Sequence, residues 1–116
     1  MLDSQVRMAI EFEGRLIGYA DLAQIRTNAA ELGISIGESG LWGKGIGSLA
    51  AGKMMELARE KYGITLFNAE TNEENARSRR MLEKLGFVEI SRVGREAYLG
   101  KDGRLIQYRL GPVIEQ

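Results

Sequence analysis

Hydrophobic and polar positions alternate from the start of the chain. Val6, Met8, Ile10 and Phe12 fall on one side of a strand pattern, with Arg7 and Glu11 on the other. Residues 15–22 (RLIGYADL) form a second extended run, and Glu13-Gly14 between the two suits a tight hairpin turn. A third strand is expected over 30–36, after a polar turn at Arg26-Thr27-Asn28. The chain therefore opens as an antiparallel meander. From Ile46 the period changes: Ile46, Leu49, Ala50, Met54, Leu57 and Ala58 recur at helical spacing, and Tyr62-Gly63 ends the helix. Residues 64–69 (ITLFNA) read as a short buried strand. The strand-helix-strand order makes it parallel to the third strand.

A second helix is expected from about Glu73 to Leu85, capped by Asn72 or Asn75 and closed by Gly86. Its apolar stripe is Ser78, Met81, Leu82 and Leu85. Arg77, Arg79, Arg80 and Lys84 surround that stripe and read as a solvated face, with contact of one or two to a ligand phosphate as the alternative. Residues 87–93, 97–99 and 105–110 are extended again, with a turn at Lys101-Asp102-Gly103. Pro112 marks the end of regular structure. The pattern is α+β (α/β), one domain over 1–116.

Composition narrows the chemistry. Sixteen basic residues balance sixteen acidic ones, which gives no signature of a nucleic-acid or membrane surface. There is no cysteine and no histidine, so acyl-cysteine intermediates, disulfides, Ser-His triads and thiolate or imidazole metal sites are excluded; no metal is expected. No segment has the length of a bilayer span or a signal peptide's apolar run, and a cytosolic location is the default expectation.

The stretch from Glu31 to Arg59 carries the strongest functional signal. Gly37, Gly40, Gly43, Gly45 and Gly47 lie between the third strand and the first helix. Glycines keep side chains away from backbone N–H groups, and a helix start leaves four such donors without partners at the positive end of the dipole. The combination favours a phosphate or pyrophosphate. It is not a Walker A loop, because Glu38 stands at the first glycine position and Gly45 follows Lys44. Gly45-Ile46-Gly47-Ser48-Leu49-Ala50 fits GxGxxA, with Glu70 about 20 residues on, as in dinucleotide-binding folds. A dinucleotide fold, however, would begin with the strand that feeds this loop, not with a meander.

The order meander, glycine loop, helix, strand, helix, hairpin resembles the GNAT superfamily of N-acetyltransferases. Trp42-Gly43-Lys44-Gly45-Ile46-Gly47-Ser48 resembles the family's acetyl-CoA loop. Asn75-Ala76-Arg77-Ser78 followed by Glu83-Lys84-Leu85-Gly86-Phe87 resembles the NxxS…EKxGF helix of the branch that acetylates ribosomal-protein N-termini, and the Asp102-Gly103 hairpin resembles its closing strands. The resemblance covers residues 6–110. It implies a mixed, mostly antiparallel sheet with two main helices and a splayed parallel pair, without the family's N-terminal strand and helices.

By the same resemblance, backbone groups of residues 43–48 would hold the pyrophosphate of acetyl-CoA, and the chain would move acetyl to a primary amine. A bulge in the third strand would splay it from its parallel neighbour. Main-chain groups of Ile34, Ser35 and Ile36 would then pair with the pantetheine arm, one N–H near Ile34 stabilising the tetrahedral oxyanion. Asn75 takes the place of a pantetheine-contacting asparagine, or caps the helix. Glu31 matches a glutamate that serves as base in several members. Leu82 stands where the family carries a proton-donating tyrosine, and Ser78 is the substitute hydrogen-bond donor. The absent N-terminal helices suggest exposed apolar sheet and hence a homodimer. A non-catalytic acyl-CoA-binding module and a dinucleotide-binding fragment are the alternatives.

Overall fold

The computed structural model describes residues 5–37, 39–41 and 44–111. Its elements in chain order are β1 (Val6–Phe12), β2 (Arg15–Ala23), β3 (Ala29–Ile36), a 3-10 turn (Ser39–Leu41), α1 (Ile46–Tyr62), β4 (Leu66–Asn72), α2 (Ala76–Lys84), β5 (Val88–Ser91), β6 (Arg95–Tyr98) and β7 (Lys101–Leu110). The sheet order is β1-β2-β3-β4-β7-β5, with β6 extending β7. Among the described residues only β3 and β4 run parallel, and the other pairings are antiparallel. That topology is the mixed α+β arrangement expected, and it is not a doubly wound dinucleotide fold.

Two hairpins turn on pairs of positive-φ residues, the combination that matches strand twist. Glu13 (φ 52) and Gly14 (φ 76) join Phe12 to Arg15. Leu99 (φ 52) and Gly100 (φ 80) join Tyr98 to Lys101. The second turn lies two residues before the expected Lys101-Asp102-Gly103. Asp102 and Gly103 are strand residues paired with Ala97 and Glu96, and a Cβ at Gly103 would strike the Asn72 side chain.

Both helices cover one face of the sheet. The Arg59 guanidinium of α1 sits 5.4 Å from the centre of the Phe67 ring, and the Tyr108 hydroxyl donates to Glu83 of α2 at 3.3 Å. Phe67, Ala69 and Tyr108 share that face by register and period. With Leu22, Ala30, Leu32 and Ile106 they form the core. α1 contributes Ala51, Met54, Met55 and Ala58, an i, i+3, i+4, i+7 stripe. Leu49, expected in the stripe, is 64% exposed. The small Ala51 and Ala58 let the helix approach the sheet on the side opposite to it.

The second helix begins at Ala76, not at Glu73, because residues 72–74 are committed to the closing hairpin. The Glu73 N–H donates to the Arg104 carbonyl at 2.8 Å. Its carboxylate accepts from the Arg104 N–H at 2.6 Å and pairs with Arg92 at 3.2 Å. Arg92 also grips Glu89 at 2.8 Å, and that hydrogen bond holds the Glu89 carboxyl below the usual glutamate range.

The face of the sheet away from the helices carries several polar pairs. Arg7 forks onto Asp21 at 2.7 and 3.2 Å and lies 4.8 Å from the Tyr19 ring centre. The Asp21 hydrogen bond raises the Arg7 pKa. Arg109 donates to Asn68 at 3.1 Å and Gln107 to Glu70 at 2.7 Å. By register Leu16 and Tyr19 lie on this face as well, and both are exposed, so the face carries part of the exposed apolar surface that was expected. Alternation puts most apolar positions of β2, β3 and β4 under the helices, and the irregularity at Ile17 breaks it in β2.

Candidate functional site

The β3–β4 ladder is short although both strands are long. Recorded pairing runs from Ala29↔Leu66 to Glu31↔Asn68, while β3 continues to Ile36 and β4 to Asn72. The pair therefore splays from Leu32 and Ala69 onward. No bulge in β3 causes this: its register with β2 is unbroken from Gly18↔Ile36 to Ala23↔Glu31. The bulge lies in β2, where pairing jumps from Ile10↔Gly18 to Glu11↔Leu16 and leaves Ile17 as the extra residue.

One hydrogen bond fixes which main-chain groups face the gap. The Gly37 N–H donates to the Ile17 carbonyl at 2.8 Å. In an antiparallel ladder, alternate residues turn their backbone groups to the same neighbour. The odd positions 31, 33 and 35 therefore face β2, and the even positions Leu32, Ile34 and Ile36 face the β4 side, where β4 has diverged. Of the three residues expected to meet a pantetheine arm through the main chain, Ile34 and Ile36 are oriented for it. Ser35 spends its groups on Tyr19.

A cavity of about 580 Å³ opens on the helical side of this gap. Ile34, Ser35, Ile36, Gly45, Gly47, Ser48, Asn75 and Ser78, all singled out from the sequence, line it. Lys44 is exposed and Ile46 half-buried, and neither is a lining residue. Trp42 and Gly43 lie outside the described residues. The glycines have separate jobs. Gly45 is the left-handed residue (φ 79) that starts α1, with no side chain capping the helix and no acidic residue in its first turn. The N–H groups there keep their positive end toward the cavity. A Cβ on Gly47 would lie 3.1 Å from the Met81 sulfur, so that glycine admits α2 as well as a ligand.

Asn75 caps α2: its Oδ1 accepts from the Ser78 N–H at 3.1 Å. The amide nitrogen remains a donor on the cavity wall, so capping and ligand contact are compatible. Leu82 is 3% exposed and belongs to the core, and it does not line the cavity. Two tyrosines that the sequence left unplaced now have positions. Tyr108 is 1% exposed and bonded to Glu83, whereas Tyr98 lines the cavity beside Leu99 at the hairpin tip. Sequence reasoning also left Arg77, Arg80 and Lys84 on a solvated face; all three line the cavity. Their i, i+3, i+7 spacing was the available signal.

Glu31 is elsewhere. It lines a second cavity of about 200 Å³ on the open face, with Asn68, Glu70, Ile90, Tyr108 and Arg109. Glu31 and Ile34 are an odd number of residues apart, so their side chains leave opposite faces of β3, about 10 Å apart along the strand. The two cavities flank the splay from its two sides.

Residues 2–88 match the family model described as acetyltransferase (GNAT) domain. The chain is 35% identical over 82 residues to an uncharacterized protein of Methanocaldococcus jannaschii, which covers 71% of this chain and 16% of that protein. It thus spans about a sixth of that relative's length. The fold superposes on a crystal structure of a probable acetyltransferase with a TM-score of 0.82 and 25% identity, over 93% of this chain and 62% of that one. It also superposes on spermidine N-acetyltransferase from Vibrio cholerae in complex with CoA and spermine: TM-score 0.79, 20% identity, 93% and 66% coverage. A dodecameric structure of that Vibrio enzyme is also similar. Among the described residues no helix is long and apolar enough to cross a membrane. A parallel pair splayed beside an uncapped, glycine-led helix, together with a family match over three quarters of its length, places the chain in the GNAT acetyltransferase family.

Proposed function

We propose that this domain transfers acetyl from acetyl-CoA directly to a primary amine. The observation that carries the reading is the two-sided splay. On the helical side, uncapped N–H groups and the main chain of Ile34 and Ile36 suit a diphosphate and a pantetheine arm. On the open side, Glu31 and Glu70 line a cavity suited to an ammonium group. The thioester would lie in the gap, within reach of both.

The acceptor must first lose a proton. For an amine of pKa ~10.4 at pH 7 that costs about 4–5 kcal/mol. Glu31 takes it in this reading through water, because it leaves the face of β3 opposite to Ile34. The amine nitrogen attacks the thioester carbon, the oxyanion develops toward the Ile34 N–H, and the C–S bond breaks. A thiol of pKa ~8.5 leaves as thiolate at a cost of only about 2 kcal/mol at pH 7. A hydrogen bond from Ser78, held in the first turn of α2 by the Asn75 cap, is then sufficient help. Acetyl-CoA is the co-substrate and no metal takes part.

Similarity of the 75–87 helix to the ribosomal-protein N-terminal branch puts peptide N-termini in the acceptor panel. The spermidine enzyme among the structural neighbours puts polyamines beside them. Thiol release from acetyl-CoA over that panel tests the reading. Binding of acetyl-CoA without release on any amine favours the second reading, a non-catalytic acyl-CoA-binding module. The core position of Leu82, where the family carries its acid, is the observation behind that alternative. A homodimer belongs to the proposal too, now resting on Val88, Ile90 and Val93, exposed on and beside the edge strand β5.

A further inference from the structure

The smaller cavity, on the open face, carries both signs of charge. Glu31, Asn68 and Arg109 stand in one row across three strands: Glu31 of β3 is in register with Asn68 of β4, and Asn68 with Arg109 of β7. Residues in register put their side chains on one face, and all three line this cavity. Strands lie about 4.8 Å apart, so the carboxylate and the guanidinium are rooted about 10 Å from each other. They do not pair. Among the described residues the Glu31 carboxylate has no partner. Arg109 has one: its Nε donates to the Asn68 Oδ1 at 3.1 Å.

That bond holds the guanidinium by its inner nitrogen. The two terminal nitrogens keep the end that takes a carboxylate or a phosphate by two parallel bonds. The cavity's other carboxylate, Glu70, accepts from Gln107 at 2.7 Å, and Gln107 is held in turn by the Ser91 hydroxyl and the Val93 N–H. The groups left for a ligand at the two ends of the row are therefore one carboxylate and one guanidinium. A polyamine would bring a second ammonium toward Arg109, where like charges repel. A molecule with an amine at one end and an anion at the other satisfies both ends.

Resting on the acetyl-transfer reading, we propose that the acceptor is an amine that also carries an anionic group, a carboxylate or a phosphate, and that Arg109 binds the anion while the amine lies toward Glu31. The bonds made and broken are those of any primary amine: N–C forms, C–S breaks, and the proton goes to Glu31 through water. Ile90, 48% exposed, lines the same cavity and offers apolar contact to the carbon frame between the two charges.

Thiol release from acetyl-CoA by the unaltered protein tests this on matched pairs. β-Alanine against β-alaninamide probes a carboxylate, and O-phosphoethanolamine against ethanolamine probes a phosphate; spermidine is the polycation. In at least one pair the anionic member is expected to show a kcat/KM about tenfold or more higher, the size of one charge-assisted contact, and that pair names the anion. The preference is expected to narrow as salt rises. Arg109 is exposed and outside the core, so R109Q is expected to fold. In R109Q the preference should fall to within about twofold, chiefly through KM, and R109K should restore part of it. Comparing the ratio between variants cancels differences in amine basicity within a pair. Release that favours spermidine or the uncharged members overturns the inference and leaves the acetyl-transfer reading standing. A preference undiminished in folded R109Q overturns the assignment to Arg109. Release with no amine overturns the acetyl-transfer reading, and this inference with it.

Discussion

Asn72 ties the closing hairpin to the strand beside the cavity: its Nδ2 donates to the Glu96 carbonyl at 2.6 Å while its Oδ1 accepts from the Glu74 N–H at 2.9 Å. Asn72 is 7% exposed, so its own amide depends on these two partners. Replacing Asn72 with Ala removes two part-buried hydrogen bonds, at about 0.5–1.5 kcal/mol each. N72A is expected to lower the melting temperature by several degrees. Because the same hairpin carries Tyr98 and Leu99, it is also expected to weaken CoA binding at temperatures where the protein is still folded. Thermal melts with and without CoA check both; an unchanged CoA affinity in folded N72A would remove the hairpin from the cavity wall.

At Gly45 the backbone sets the demand. A residue at φ 79 without a cap box must be Gly, or else Asn or Asp, for a helix to start there. G45A is expected to cost about 1–2 kcal/mol from the left-handed strain alone, and G45N less. Denaturant unfolding measures the order. Equal stability of the two variants would mean that the loop relaxes and the glycine serves only to clear space.

The main-chain path was legible where it is local. Glu13-Gly14 announces its own turn, and the change from period two to period 3.6 at Ile46 announces α1. The second hairpin was misplaced because Asp102-Gly103 looks more like a turn than Leu99-Gly100 does. What moves the turn is the Asn72 side chain against Gly103, thirty-one residues away in sequence. The role of Asn75 as cap was legible, and so was most of each helix's apolar face, with Met54, Ala58 and Leu82 buried as expected; Leu49 is the exception, exposed although it looks like Leu82 in the pattern. The cations of α2 were read as solvent-facing because a neutral total says nothing about where charge collects. Only the cavity beside the helix separates Arg80 from an ordinary surface residue.

Acid sensitivity follows from Glu89. Its folded pKa lies below the unfolded value of about 4.3, chiefly through the Arg92 hydrogen bond. A depressed carboxyl pKa adds stability that is present above the unfolded value and fades as pH falls through the folded one. Melting temperature is therefore expected to fall below about pH 4.3, and E89Q to flatten part of that limb. A melt series across that range in the two proteins, showing parallel acid limbs, would take Glu89 out of the account.

Glu31 offers the sharpest separation of readings. It is exposed, sits on the last pair of the β3–β4 ladder and is not a core residue. E31Q should therefore fold as the parent does and bind CoA as the parent does, since the cofactor cavity is on the other side of β3. If Glu31 takes the acceptor's proton, kcat falls by about 10²–10⁴-fold. The variant should also lose the acid limb of the pH–rate profile, the signature of a missing general base. S78A, by contrast, is expected to lower kcat modestly and leave that limb in place, since a thiolate leaves without an acid at small cost. A kcat in E31Q within threefold of the parent, with the pH profile unmoved, would strip Glu31 of the base's role. Proton removal would then fall to solvent or to Glu70, whose carboxylate shares the cavity and is already held by Gln107 at 2.7 Å.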